Sequence, residues 1–249
     1  MRFFLRVVLL LALAFPAALT VPAQTPGSSS QTAAQGQSQA QQAPSLTQQE
    51  MTVQERIRKR RQQRREQAIR DTYLHRYEIF TGMGYLRFQP GPSLQRVTLY
   101  AWDTELTRYF NLRLGLTGDV RGYYGTPFVG LNEVSNSSIT RPAISHYDFL
   151  VGPTYRLYLT PKYSLSARAL GGYAMGNFSG DTNHFGGATL GMWPDGGTYA
   201  MSGALLGEYN VTPNFAMRLG ANDFVTGFGS TTQNGVGFTG GFVVRFGKQ

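Results

Sequence analysis

The chain contains no cysteine. That excludes disulfides, thiolate metal sites, a cysteine nucleophile and a lipidated N-terminal cysteine. Any fold built from it closes without covalent staples. Charge is scarce as well: charged residues make up 15% of the 249 positions, against roughly 25% in ordinary soluble domains. Histidine occurs three times, as His75, His146 and His184. No phosphate loop, dinucleotide fingerprint or paired-carboxylate motif is present. Long apolar runs are missing, with one exception near the start. Val7 to Phe15 is apolar, but it is too short to cross a ~30 Å hydrocarbon core, and Pro16 interrupts it.

That run is flanked by Arg2 and Arg6 on one side and by Val21-Pro22-Ala23 on the other. A basic start, an apolar middle and small residues at the end describe a secretory signal over residues 1–23, leaving Gln24 first after cleavage. Residues 24–50 hold nine glutamines and one charge, Glu50. They offer almost nothing to bury, so a disordered linker is expected. Residues 51–75 change character. Thr52-Val-Gln-Glu55 reads as a capping box. Glu55 with Lys59 and Glu66 with Arg70 have favourable i,i+4 order. Over residues 51–70, Arg56, Arg58, Lys59, Arg60, Arg61, Arg64, Arg65 and Arg70 face only Glu55 and Glu66, so most of the net charge of +9 sits in this one predicted helix. Val53, Ile57 and Ala68 form no continuous stripe. The segment reads as a solvated helix or as an anion-binding one. Arg58 to Arg65 also looks like an arginine-rich nucleic-acid motif, but an exported chain has no such partner.

From residue 77 the helical period gives way to a period of two. The pattern predicts eight strands near 77–88, 97–107, 112–124, 147–158, 164–177, 199–209, 214–227 and 236–246. Short turns are expected at 108–111, 160–163 and 210–213, with long Gly/Ser/Asn-rich loops at 125–146 and 178–198. Turns alternating with loops are the mark of an outer-membrane barrel with turns inside and loops outside. Both barrel ends, and the basic helix, then lie in the periplasm. In the third strand Leu112, Leu114, Leu116, Gly118 and Val120 share one face and Arg113, Gly115, Thr117, Asp119 and Arg121 the other. In the last strand Phe238, Phe242, Val244 and Phe246 oppose Arg245. The expected fold is all-β: an eight-stranded antiparallel transmembrane up-and-down β-barrel over 76–249, preceded by the linker and one basic α-helix.

Eight strands leave room inside only for side chains. Glu78, Asp119, Asp148 and Glu208 are expected there with Arg113, Arg121, Arg156, Arg168, Arg218 and Arg245, as a salt-bridged structural plug. Pro153 removes a ladder bond and calls for a bulge beside Gly152. Asn222, Asp223 and Phe224 alternate poorly.

Residues 77–246 resemble the small outer-membrane β-barrels of Gram-negative bacteria, of the outer membrane protein A and X type. The resemblance is carried by Tyr77–Phe88 with its Gly82-Met-Gly84-Tyr85 core, by Phe149-Leu-Val-Gly-Pro-Thr-Tyr155 and by Phe242-Val-Val-Arg-Phe246. It implies a monomer in outer-membrane lipid, assembled by the barrel-assembly machinery reading a terminal aromatic. Here Gly247-Lys248-Gln249 follow Phe246, a departure from that pattern.

The expected function is non-enzymatic: envelope integrity, surface contact or lipopolysaccharide contact. No cofactor, metal site or catalytic residue is expected, and anionic lipid headgroups or cell-wall polymers are the partners that suit the helix. The rivals are a rim enzyme acting on lipid A or another lipid, and a narrow channel. Ser145 and His146 are neighbours at a loop-to-strand junction expected to face outside, and on a strand such neighbours point to opposite sides. His184 near Asp181 lacks a second metal-ligand pattern.

Overall fold

The computed structural model describes residues 53–130 and 139–248. The expected signal (1–23) and linker (24–50) lie outside the described residues.

One helix, α1 (Val53–Tyr73), leads into eight strands. These are β1 (His75–Phe88), β2 (Val97–Tyr109), β3 (Leu114–Gly125), β4 (Ala143–Leu159), β5 (Tyr163–Gly180), β6 (Gly196–Thr212), β7 (Phe215–Thr226) and β8 (Gln233–Lys248). Each pairs antiparallel with its sequence neighbours, and β1 pairs with β8 to close the barrel. The seam runs from His75 opposite Lys248, through Tyr77 opposite Phe246, to Arg87 opposite Val236. At its lower end the Tyr77 and Phe246 rings stack at 5.7 Å. No strand edge is left open, which removes the usual template for edge-to-edge association.

The outer wall is apolar. Ile79, Met83, Leu106, Leu116, Val151, Leu205, Leu219 and Val244 all point outward and are exposed. Outward aromatics bracket them. Tyr155, Tyr158, Tyr163, Tyr209 and Phe246 lie toward the short turns; Tyr85, Tyr100, Tyr124, Tyr147 and Tyr199 lie toward the long loops. An apolar band between two aromatic rings is the surface of a barrel that spans a bilayer. In β4 the rings are marked by Tyr147 and Tyr155. Their eight-residue spacing is about 26 Å along the strand and about 20 Å along the membrane normal at the usual tilt.

Several strands run further toward the long loops than the sequence pattern predicts, β4, β5, β6 and β8 most of all. The reason is a change of lining. Deep in the barrel the inward face is polar. Toward the loops it becomes apolar, with Leu86, Phe88, Leu99, Tyr123, Ile144, Phe178 and Phe224 packed together. Both faces are then apolar or small, and the alternation fades from the sequence while the pleat continues. Strand β7 shows this: Asn222 and Phe224 are buried and Asp223 is not, so the pleat is regular where hydropathy is not.

Pro153 causes no bulge. Val151 stands opposite Gly171 and Thr154 opposite Arg168, the same offset on both sides. The β4–β5 ladder simply has no paired residues at 152 and 153. Its register shifts lie elsewhere, at Ala143/Ser145 and Arg156/Tyr158.

Candidate functional site

The lumen is the candidate site, and it is filled from end to end. Its ionic part begins at the short-turn end. Glu78 on β1 is shared by three guanidiniums. Arg156 of β4 donates to its Oε2 at 2.9 Å, Arg245 of β8 donates to the same oxygen at 2.9 Å, and Arg218 of β7 donates to its Oε1. Arg218 also donates to Glu208 at 2.9 Å and to Glu105 at 2.8 Å. Arg245 closes the ring through Glu208 at 2.5 Å and Asn210 at 2.8 Å. One level up, Arg168 pairs with Glu105 and reaches Asp119 at 3.6 Å. Arg121 grips Asp119 through Nε at 3.0 Å and Nη2 at 2.5 Å, and faces Asp103 at 3.4 Å. All these groups are buried. Buried charges persist only when paired and hydrogen-bonded, and Glu78, Glu105, Glu208 and Asp119 are each shared by two or more guanidiniums; Asp103 faces Arg121 alone, without a hydrogen bond to either oxygen.

Of the residues expected inside, Glu78, Asp119, Arg121, Asp148, Arg156, Arg168, Glu208, Arg218 and Arg245 face the lumen. Asp148 stands opposite Arg121 in the β3–β4 register, but its ion-pair contact is with His146 Nε2 at 3.6 Å. Arg113 does not belong to the network. The β2–β3 turn falls at 110–113, later than the 108–111 expected. There Asn111 Oδ1 accepts from the backbone N–H of Arg113 at 2.9 Å and of Leu114 at 2.7 Å. This turn takes Arg113 out of the pleat, and its exposed guanidinium donates to Leu157 O at 3.2 Å.

Two further lumen carboxylates, Asp103 and Glu105, lie outside the expected set, although they share the parity of Thr107. Together with Asp119 they bring ligand atoms within 4.8 Å of one another. Arg121, Arg168 and Arg218 thread that cluster, so it is an ion-pair cluster and not a metal cradle. Beside it a hydroxyl chain crosses three strands. Thr107 Oγ1 lies 2.8 Å from Thr117 Oγ1, which lies 2.6 Å from Thr154 Oγ1. Thr117→Val should strand two buried hydroxyls and cost about 1–3 kcal/mol. Thr117→Ser, keeping the link, should be nearly silent. Urea titration of the refolded barrel separates the two.

A second unexpected element seals the short-turn mouth. Tyr73, the last residue of α1, is 0% exposed. Its hydroxyl donates to Thr160 O at 3.0 Å and accepts from Asn210 Nδ2 at 2.6 Å. Its ring lies under the guanidiniums of Arg156 and Arg245, at 4.9 and 5.1 Å. Arg156 is sandwiched further by Tyr109 at 3.5 Å. Cation–π contacts of this kind strengthen when desolvated.

The long-loop mouth is closed by aromatics. Phe88, Tyr123, Phe178, Phe224 and Phe228 gather around the lumen, most of them about His146. The 181–195 loop folds across them. Trp193 donates through Nε1 to Gln89 O at 2.7 Å and through its backbone N–H to Pro90 O at 2.8 Å. A Cβ on Gly91 would sit 1.9 Å from Gly191 O, so only glycine lets the two loops meet this closely. His146, expected in an outward loop junction, is buried inside β4 and stacks on Tyr123 at 4.4 Å. Ser145 points the other way. His184 is exposed, in a left-handed backbone (φ 72) next to Asn183 (φ 49).

The cations of α1 take no part in the lumen. From Gln54 to Gln67 the helix is exposed; only Ala68, Ile69, Thr72 and Tyr73 pack down. Glu66 takes its hydrogen bond from Gln62 at 3.0 Å, where the spacing points to Arg70.

No protein-family model matches the chain, and no curated protein does. Among solved structures it is similar to Ail, the attachment invasion locus protein of Yersinia pestis, crystallised with the heparin analogue sucrose octasulfate. Identity there is 14%, over 67% of this chain and 97% of that one, with a TM-score of 0.43. Neisserial surface protein A matches at 14% identity over 68% and 97%, TM-score 0.47. OprG from Pseudomonas aeruginosa matches at 11% over 68% and 95%, TM-score 0.47. The architecture given above rests on the register of this chain itself.

Proposed function

We propose that the protein is a sealed, non-enzymatic outer-membrane barrel that anchors a cationic helix in the periplasm and serves envelope integrity. One observation carries this reading: the lumen is occupied along its whole length. Tyr73 closes one mouth, shared ion pairs fill the middle, and the aromatic cap with Trp193 closes the other. The apolar band between two aromatic rings supports the membrane, and short turns opposite long loops support the orientation. Outer-membrane lipid is then the principal partner. The exposed cations of α1 suit anionic lipid headgroups or cell-wall polymers. The barrel-assembly machinery would deliver the chain, and a closed barrel with no free edge suits a monomer.

The geometry argues against both rivals. Ser145 and His146 diverge, so the Ser/His pair at the rim does not form a dyad. For the channel, the test is direct. Purified barrel reconstituted in planar bilayers should give no conductance steps in concentrated KCl. Steady ohmic openings from the unaltered chain would show that the plug yields and that the channel reading is right.

A further inference from the structure

We propose that α1 is a tether for an anionic polymer of the cell wall, and not a membrane-surface helix. The inference rests on the periplasmic placement proposed above and goes beyond it by choosing the occupant.

The choice follows from how the charge is distributed around the rod. Arg58, Lys59, Arg60 and Arg61 are consecutive. At 100° per residue they stand at four points around the rod, Arg64 and Arg65 fall on the side from Arg60 to Arg58, and Arg56 and Arg70 fall between Lys59 and Arg60. No side of the helix is free of cations. A helix that lies on a bilayer needs the opposite arrangement, one apolar face to bury and one charged face to leave outside. Ile57 is the sole large apolar residue between Gln54 and Gln67, and it is 45% exposed. A flat anionic surface would neutralise about one side of such a rod and leave the rest repelling. A flexible, carboxylate-bearing polymer mesh can approach it from every direction.

The foot of the helix suits a tether. The solvated part spans about 21 Å at 1.5 Å per residue. It ends in a buried turn whose Tyr73 is hydrogen-bonded to Thr160 and Asn210, on the β4–β5 turn and on β6. Load on the rod therefore passes into the barrel wall.

The test uses the full chain in detergent, with isolated peptidoglycan sacculi in one arm and vesicles of phosphatidylglycerol or phosphatidylcholine in the others. Unaltered protein should co-sediment with sacculi and be released as salt shortens the screening length. A variant with Arg60, Arg61, Arg64 and Arg65 all changed to Gln should bind roughly ten-fold more weakly or worse, since each cation lost near an anionic surface weakens attraction. These side chains are exposed, so the barrel should keep its resistance to urea. Equal retention of the variant, or stronger binding to anionic vesicles than to sacculi, would overturn the proposal. The lack of cysteine makes the location separately testable. The single thiol of a Gln63→Cys variant should be reached by an impermeant maleimide only after the outer membrane is breached. Labelling in intact cells would refute the periplasmic placement. A thiol protected in intact cells, on a chain that fails to sediment with sacculi, would refute the tether alone.

Discussion

Arg218→Ala should destabilise the barrel by about 3–5 kcal/mol, the usual result of removing one partner from a buried ionic cluster. Arg218 is the most widely shared of the lumen arginines. It serves Glu78, Glu105 and Glu208, which come from β1, β2 and β6. Removing it leaves three carboxylates in a site closed to solvent. Two of them keep a second guanidinium through Arg245, and Glu105 keeps Arg168, so the loss is large without abolishing the fold. The void also uncovers Phe80, whose ring lies 5.1 Å from the Arg218 guanidinium. Arg113→Ala is the matched control. Its guanidinium is exposed at a turn, and surface changes of that kind stay within about 0.5 kcal/mol. Urea unfolding of the barrel in vesicles reads both. The two tryptophans report opposite surroundings, Trp102 on the outer wall and Trp193 in the cap. An unchanged midpoint for Arg218→Ala would mean that the network is hydrated and that its pairs are dispensable.

Val151→Arg should cost about 2–4 kcal/mol, as expected for a cation at the bilayer midplane on the lipid face of a barrel. Val151 points outward, is exposed, and lies midway along β4 between Tyr147 and Tyr155. The same change at Leu116 should cost less, because Leu116 lies one outward position above Leu114, where β3 begins. A guanidinium there can snorkel toward the headgroups. The gradient between the two positions is the measurement that matters. Equal and small costs would mean that water, not lipid, covers the outer wall.

How much of this is legible in the sequence depends on which face carries the contrast. Around the ionic layer the outward residues are apolar and the inward ones charged, so Asp119, Arg121, Arg156 and Arg245 declare their side through parity alone. Asp103 and Glu105 obey the same rule. They are obscured because outward Thr104 interrupts the apolar face between Trp102 and Leu106. Toward the loops the contrast vanishes, since the lining itself becomes apolar. The cap residues Phe178 and Phe224 and the buried His146 are therefore unreadable, and β4, β5 and β6 look too short. Arg113 fails for a local reason, the Asn111 turn that ends the pleat. Tyr73 cannot be read at all. Its role depends on Thr160 and Asn210, which are 87 and 137 residues away in the chain.

The reach of the lumen ion pairs also bears on how the barrel is made. Glu78 on β1 meets Arg156 on β4 and Arg218 on β7, and Glu105 on β2 meets Arg168 on β5. None of these strands are neighbours. A β4–β5 hairpin entering a bilayer alone would carry Arg156 and Arg168 into hydrocarbon without the carboxylates they meet in the closed barrel, at several kcal/mol each. The pairs become available only when the sheet has curled far enough for opposite walls to face each other. The charges thus penalise every open intermediate and reward the closed one, so insertion and closure are coupled into a single late event. The slow, non-local step of folding this barrel is therefore the meeting of its walls, with Tyr73 able to seat only after that mouth exists.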